Sequence, residues 1–475
     1  MALPPTTALS DAAPSPAPAT PPVPPRPRMK FASQAAISLT TQVATQALSF
    51  GTALVMPKIL VPEVKGPCDL VMGISLPLIV WSNLGLATAL LYHPDRQKIP
   101  FERLVSTVLT TAVCVGLVAA GIAALALPGY FSAHHGAVIQ PWHVALVLAT
   151  APLQLSTSYL NSTQLLAGRV IGFNVIQFLP TFLYISVFFA LYLGMGPERF
   201  RQNPELFLTS MVIARVTQWA LTASVSAWLL RDIASFRPAI DWDFLKKALA
   251  FGFRPYLSNC FQVCTLNFAL YFVDAVGMPA EQIGFFSLSV IGMTALWSIP
   301  EAVQMVLANR LSSMTPQERS WFTPIACRTI LAITAFSAVG IALASELFFR
   351  YWAPNYRPAL ASLRILLVGS VLFTFFKVLQ SDFLARGRVN VVPMLSGITF
   401  AVLTALSVGF LGIGGVRTIE MAATCTSAAM GLTGLLALFL YSRISRNPLH
   451  LVAFPQWEDV KLWREFAGRL RKKTP

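Results

Sequence analysis

Residues 359–385 read ALASLRILLVGSVLFTFFKVLQSDFLA, with three charged side chains, Arg364, Lys377 and Asp382, set among leucine, valine and phenylalanine. An α-helix rises 1.5 Å per residue, so about 20 apolar residues cross the roughly 30 Å hydrocarbon layer of a bilayer. This stretch is long enough. Its lysine is the anomaly, because a charge near the bilayer centre costs about 2.5–3.5 kcal/mol on insertion scales.

Outward from this run the same pattern recurs. Apolar stretches fall near residues 32–56, 68–92, 104–127, 141–166, 171–196, 206–230, 248–277, 284–309, 321–347, 389–412 and 417–441, making about twelve spans in all. The whole chain agrees: of 475 residues 55% are hydrophobic and 12% charged, where a soluble domain carries about 25% charged. The expected fold is therefore all-α and integral to a membrane. Connections between the spans are short, which excludes a sizeable domain outside the membrane. Residues 1–29 hold ten of the 34 prolines and predict a disordered tail, with Met29 as an alternative start. In residues 443–475, Trp457, Val460, Trp463, Phe466 and Leu470 alternate with Lys461, Arg464, Arg469, Arg471, Lys472 and Lys473, the pattern of an amphipathic helix on an anionic leaflet.

Lys and Arg exceed Asp and Glu by 35 to 20. On a soluble protein that excess suggests nucleic acid. Here 23 of the 35 fall on the side that holds the N-terminus and seven on the other, while Arg215, Arg254, Arg328, Arg364 and Lys377 lie inside spans. A basic bias marks the cytoplasmic side, so both termini are expected there and no nucleic-acid partner is expected. The six cysteines form no CxxC pair and the five histidines no paired-ligand spacing, so neither a metal nor another cofactor is implied. His134-His135 reads as a solvated pair in a short loop.

A shift of 218 residues aligns Glu63 with Glu281, Gly66 with Gly284, Leu70 with Leu288, Leu166 with Leu384 and Ala167 with Ala385; one residue further, Gly168-Arg169 meets Gly387-Arg388. Thr41 then falls on Asn259 and Ser49 on Asn267. Offsets this constant over more than 120 residues indicate a duplication, and six spans per copy give both copies the same orientation. The expected organisation is a six-helix lobe at 30–231, a linker at 232–247 and a second lobe at 248–442, related by an axis along the membrane normal. A binding site is expected between the lobes.

The first span carries Gln34, Ser38, Thr41, Gln42, Thr45 and Ser49 three or four residues apart, which makes one uncharged polar stripe. Its repeat partner has Arg254, Ser258, Gln262 and Thr265 on one face, with Asn259 and Asn267 nearby. Such stripes suit a hydrated cavity, or alternatively helix-to-helix hydrogen bonds worth about 0.6 kcal/mol each. Arg215, Arg254, Glu301 and Lys377 are the deepest ionisable residues. Three cations against one carboxylate fit a phosphate or pyrophosphate group; the alternative is a structural bridge from Glu301 to Arg254 or Lys377. Glu301, with Gln304 one turn along, is also the better candidate for ion or proton coupling. Asp274 is a second candidate, although its position near a span end predicts simple interfacial exposure.

Val61-Pro62-Glu63-Val64-Lys65-Gly66 before a span, followed by Ser82-Asn83-Leu84-Gly85-Leu86-Ala87-Thr88-Ala89, resembles the start of the Wzx-type oligosaccharide-lipid flippases, polysaccharide transporters of the multidrug/oligosaccharidyl-lipid/polysaccharide (MOP) exporter superfamily. Gly284-Phe285-Phe286-Ser287-Leu288-Ser289 resembles that family's second half. The resemblance covers residues 30–445 and rests on small, apolar and helix-end residues. It implies a monomeric bacterial inner-membrane protein that moves a polyprenyl-pyrophosphate-linked glycan to the outer leaflet by alternating access, working beside a glycan polymerase and export machinery. Basic cavity residues hold the anionic head group in that family, a role that carries onto Arg254 and Lys377. Asn309 departs from the pattern, standing where relatives often have proline. The uncharged first span lacks the acidic residue of the superfamily's cation-coupled drug exporters, which leaves them as the alternative. A membrane glycan polymerase or ligase is a weaker reading, since no loop is long enough to gather acid and base groups.

Overall fold

The structure is a computed structural model that describes residues 31–92, 99–233, 237–454 and 456. Both predicted tails, 1–29 and the amphipathic stretch from residue 457, lie outside the described residues. In chain order the helices are α1 (Phe31–Ile59), α2 (Pro62–Gly73), α3 (Ser75–Ser82), α4 (Leu86–Tyr92), α5 (Phe101–His135), α6 (Pro141–Ala149), α7 (Ala151–Leu166), α8 (Val170–Met195), α9 (Pro197–Gln202) and α10 (Pro204–Leu230). The second half continues with α11 (Trp242–Ala275), α12 (Ala280–Ser313), α13 (Pro316–Leu347), α14 (Ala359–Ala385), α15 (Val391–Ser407), α16 (Ile419–Ser445) and α17 (Leu449–Ala453).

The described helices form an all-α bundle with room for about twelve crossings, the number the apolar runs predict. Nine segments among the described residues are long and apolar enough to span a membrane. The other three crossings are α1 and α11, which carry the polar stripes, and the α6–α7 pair, which breaks at Thr150. Several boundaries differ from expectation, and two of the differences bear on the site. The second crossing starts at Pro62 rather than 68, because proline at the first helical position is compatible with a helix start and Val61 supplies the extended backbone before it. The third runs on to His135 through Pro128, so His134 and His135 close a helix rather than sit in a loop.

In the first half α1 packs on α8, α8 on α10, α10 on α7 and α7 on α5. In the second, α11 packs on α15, α15 on α16, and α14 on α12, α13 and α16. The halves meet where α2 crosses α12 and where α11 crosses α3 and α4. Apolar burial gives little drive between helices in lipid, so close backbone packing and hydrogen bonds must hold such crossings.

The α2–α12 crossing displays the repeat in atoms. A Cβ added to Gly66 would meet the Ala280 carbonyl oxygen at 2.4 Å, and one added to Gly284 would meet the Pro62 carbonyl oxygen at 2.2 Å. Residue 62 plus 218 is 280, and 66 plus 218 is 284, so each contact is the other with the halves exchanged. That reciprocity is the mark of a two-fold axis. It places the axis at the outset of α2 and α12, on the face opposite the chain's two described ends, here called the far face.

The stretch Ser82 to Ala89 is where the second crossing breaks. Leu84 and Gly85 both take positive φ, 53° and 76°, between α3 and α4. Tyr159 Oη donates to the Asn83 carbonyl and Tyr256 Oη to that of Trp81, each at 2.6 Å. The break brings Gly85 against Gly252 of α11, so close that a Cβ on Gly85 would stand 2.4 Å from the Gly252 carbonyl oxygen.

Candidate functional site

Lys377, the anomaly of the 359–385 run, points from α14 into a polar chain. Its Nζ donates to Glu301 Oε1 on α12 at 2.9 Å and to Gln262 Oε1 on α11 at 3.0 Å. Gln262 Nε2 in turn donates to Ser258 Oγ at 3.2 Å, and Ser258 reaches Ser396 Oγ on α15 at 3.1 Å. The ammonium also lies 5.0 Å from the Trp297 ring centre, a cation–π distance. These contacts explain how a lysine is carried at this depth: α11 and α12 supply its polar partners, and the chain continues to α15 through Ser258. The Lys377 side chain is 7% exposed and that of Glu301 46%, so the member of the pair that faces open space is the carboxylate.

That space is a groove of about 770 Å³ between α1 and α12. Gln42, Gln46 and Ser49 line it from α1, Thr294, Ser298 and Glu301 from α12, and Ile341 from α13. Helices α1 and α12 otherwise touch sparsely. Of the α1 stripe, Gln42 and Ser49 face this polar edge of α12, whereas Ser38 accepts a hydrogen bond from Asn174 Nδ2 of α8 at 3.1 Å, the helix-to-helix alternative.

The same seam exists a second time, with the halves exchanged. Asn267, Phe268 and Tyr271 of α11, Pro77 of α3 and Ala123 of α5 line a groove of about 470 Å³. Subtracting or adding 218 turns them into Ser49, Phe50, Ala53, Ala295 and Ile341, all of which line the first groove. The copy is almost wholly apolar in its lining and is clasped: Tyr271 Oη donates to the Leu70 carbonyl of α2 at 3.0 Å.

A multidrug-resistance MATE transporter of the MOP superfamily, in an inward-facing conformation, superposes with a TM-score of 0.63 at 16% identity, over 86% of this chain and 97% of its own. The lipid II flippase MurJ in an inward closed conformation gives 0.65 at 12% identity, over 86% and 87%. A MOP-superfamily transporter from Pyrococcus furiosus gives 0.58 at 15% identity, over 88% and 96%. This is the MOP-superfamily fold. No family profile and no curated protein matches the sequence.

Within the MOP fold, the residues singled out from sequence separate into groups. Gln262, Glu301 and Lys377 are brought together, and Gln42 joins them through the groove. Thr41 is half-buried, its carbonyl taken by Thr45 Oγ1 at 2.9 Å. Gln34 falls outside the described side chains, as does Asn309. Arg254 and Asn259 are exposed on α11 away from the bridge, Arg254 two turns before Gln262 on the same face. Arg215 stays inside the first half, its guanidinium 4.9 Å from the Tyr184 ring centre and its Nη1 3.5 Å from Gln218 Oε1.

Asp274 corrects the expectation of interfacial exposure. It is 3% exposed at the end of α11, where Tyr130 Oη donates to one carboxylate oxygen at 2.8 Å and His135 Nε2 lies 2.7 Å from the other. The two partners come from α5, so this contact ties the halves together at the far face. His135 is accordingly not a solvated residue; His134 beside it is exposed.

One cluster escaped the sequence reading. Lys65, 2% exposed on α2, pairs with Asp69 one turn on and donates to Ser287 Oγ of α12 at 3.1 Å, while Ser287 Oγ donates to Asp69 Oδ2 at 2.6 Å. Asp69 and Ser287 are 218 residues apart, so this ion pair sits on the axis itself. Two signals were available: opposite charges at i and i+4, and the repeat partner of Asp69 being a serine.

Proposed function

We propose that this protein is a flippase that moves a polyprenyl-pyrophosphate-linked oligosaccharide across a bacterial inner membrane, for exopolysaccharide, capsule or O-antigen synthesis. The observation that supports this reading is the α1–α12 groove, where Gln42, Gln46, Ser49, Ser298 and Glu301 stand among apolar neighbours between two helices that touch sparsely. A cargo with a sugar head and a hydrocarbon tail needs that geometry: sugars pass along Gln42, Gln46, Ser49 and Ser298 while the tail stays in lipid. Lobes at 30–231 and 248–442 rock about the axis through Gly66 and Gly284, exposing the groove to each face in turn. Both termini are cytoplasmic in this reading, the protein works as a monomer, and a glycan polymerase and export machinery receive the product.

Lys377 is neutralised by Glu301, so the head group falls to Arg254, which makes no ion pair or hydrogen bond among the described residues and shares a face with Gln262. Arg254→Ala is expected to abolish glycan export while membrane levels of the protein stay normal, with lipid-linked units accumulating in the inner leaflet. Unimpaired export removes Arg254 from the site.

A second reading has one observation in its favour. The half-exposed Glu301 carboxylate faces the groove, as suits an organic cation or a coupling ion. A cation-coupled drug exporter predicts altered drug susceptibility on loss of the protein and no glycan defect.

A further inference from the structure

At the far face each half holds the tip of the other half's first helix. Tyr130 Oη and His135 Nε2 of α5 reach the Asp274 carboxylate near the end of α11, at 2.8 and 2.7 Å. Across the two-fold axis, Trp352 Nε1, just beyond α13, donates to the Leu54 carbonyl of α1 at 2.9 Å, and Tyr356 Oη donates to the Leu60 carbonyl at 3.0 Å. Under the 218-residue shift Tyr130 corresponds to Phe348, His134 to Trp352 and Asp274 to Met56. Repeat-equivalent tips are therefore clasped by different chemistry. The α1 clasp ends on backbone carbonyls, which carry no charge at any pH. The α11 clasp ends on a carboxylate whose side chain is 3% exposed, against a histidine that is 10% exposed.

Histidine is the side chain that ordinarily changes charge between pH 5 and 8. The neutral ring can donate from Nε2, but a proton added at Nδ1 supplies the positive charge that the buried carboxylate otherwise lacks. No other charged side chain pairs with Asp274 among the described residues. The titratable groups around it are Tyr130 and His135 from α5 and Tyr271 one turn back on α11. We infer that His135 and Asp274 form a proton-binding latch between the halves. A proton taken up from the far side charges the ring and holds the tips of α5 and α11 together. Opening of the halves toward that face must break the pair, so the closed arrangement binds the proton more tightly than the open one. Linkage then fixes the sign: acid favours closure until the carboxylate itself is protonated, and rising pH releases the latch. The latch is independent of the cargo, because neither residue lines the α1–α12 groove.

The test is amide hydrogen exchange, read by mass spectrometry on the full-length protein in lipid nanodiscs at pH 6 and pH 8, with each rate corrected for the intrinsic exchange at that pH. The reporting amides are those of Val138 and Ile139, bonded to the His135 carbonyl, and of Gly277 and Met278, bonded to the carbonyls of Asp274 and Val273. Their protection should fall several-fold from pH 6 to pH 8 in the parent protein. His135→Gln keeps a donor without a charge and should show the weaker protection at both values. Asp274→Asn should do the same; if that variant does not fold, His135→Gln alone decides. His134→Gln should retain the pH dependence, because His134 is exposed and stacks on the Tyr130 ring at 4.4 Å between centres instead of meeting the carboxylate. Protection that is flat with pH in the parent overturns the latch, as does a pH dependence that survives His135→Gln or is lost in His134→Gln.

Discussion

The two seams, α1 with α12 and α11 with α2 and α3, descend from one design and differ at the positions that matter. At the first, Ala53 leaves a gap; at its repeat partner, Tyr271 spans the gap and bonds to Leu70. The first presents Gln46 and Glu301, the second Cys264 and Asn83. One seam is therefore wider and edged with polar side chains, the other narrower, almost wholly apolar and clasped by a hydrogen bond, although the backbone of both is set by the same two-fold crossing. The repeat supplies the frame, and a handful of side chains distinguish the copy to which we assign the cargo path.

Transplanting the clasp should have the largest effect. In Ala53→Tyr the new hydroxyl faces the Leu288 carbonyl, the partner of Leu70 under the 218-residue shift. It should shut the α1–α12 groove and abolish export, with thermal stability equal to the parent protein or above it. Export rates and unfolding midpoints measured on the same preparation check this. Export at the parent rate would mean that cargo does not use this groove.

Next comes the bridge behind the open seam. Glu301→Gln leaves Lys377 buried without a carboxylate, a loss expected at about 2–3 kcal/mol, below the 3–5 kcal/mol of a fully buried pair because Glu301 is half exposed. Adding Lys377→Met should return most of that stability, since it removes the stranded charge. If the double variant is as unstable as the single one, the pair is not what holds α12 to α14.

Much of this contrast was legible in the sequence, and the part that was not has a physical reason. An all-α fold of about twelve helices followed from the apolar runs, because lipid forces backbone groups into helices. The repeat offset named Gly66 and Gly284 before their contact was known. Lys377 and Glu301 stood out because charge at that depth is costly, but whether they faced cargo or each other depended on how α12 lies against α14, which no local pattern encodes. Asp274 departs from its sequence expectation for the same reason. Its distance from the span end predicts water, while its actual neighbours, Tyr130 and His135, come from a helix 139 residues earlier that runs a full two turns longer than its apolar core.

The smallest effect tests the closed seam by a single atom. Tyr271→Phe keeps the ring that lines the α11 seam and deletes only the hydroxyl that bonds to Leu70. A hydrogen bond between membrane helices is worth about 0.6 kcal/mol on average and at most about 1.7 kcal/mol, so stability should fall by an amount near the lower figure. Export should persist under the proposed function, which routes the cargo through the other seam. The informative readout is labelling of a cysteine introduced at Gly73, whose added Cβ would stand 3.0 Å from the Tyr271 hydroxyl. In the parent background the clasp shields it from a lipid-soluble maleimide, and in Tyr271→Phe labelling should rise. If labelling is equal in both, the ring rather than the hydroxyl closes the seam, and the difference between the two copies reduces to the volume of Tyr271 against that of Ala53.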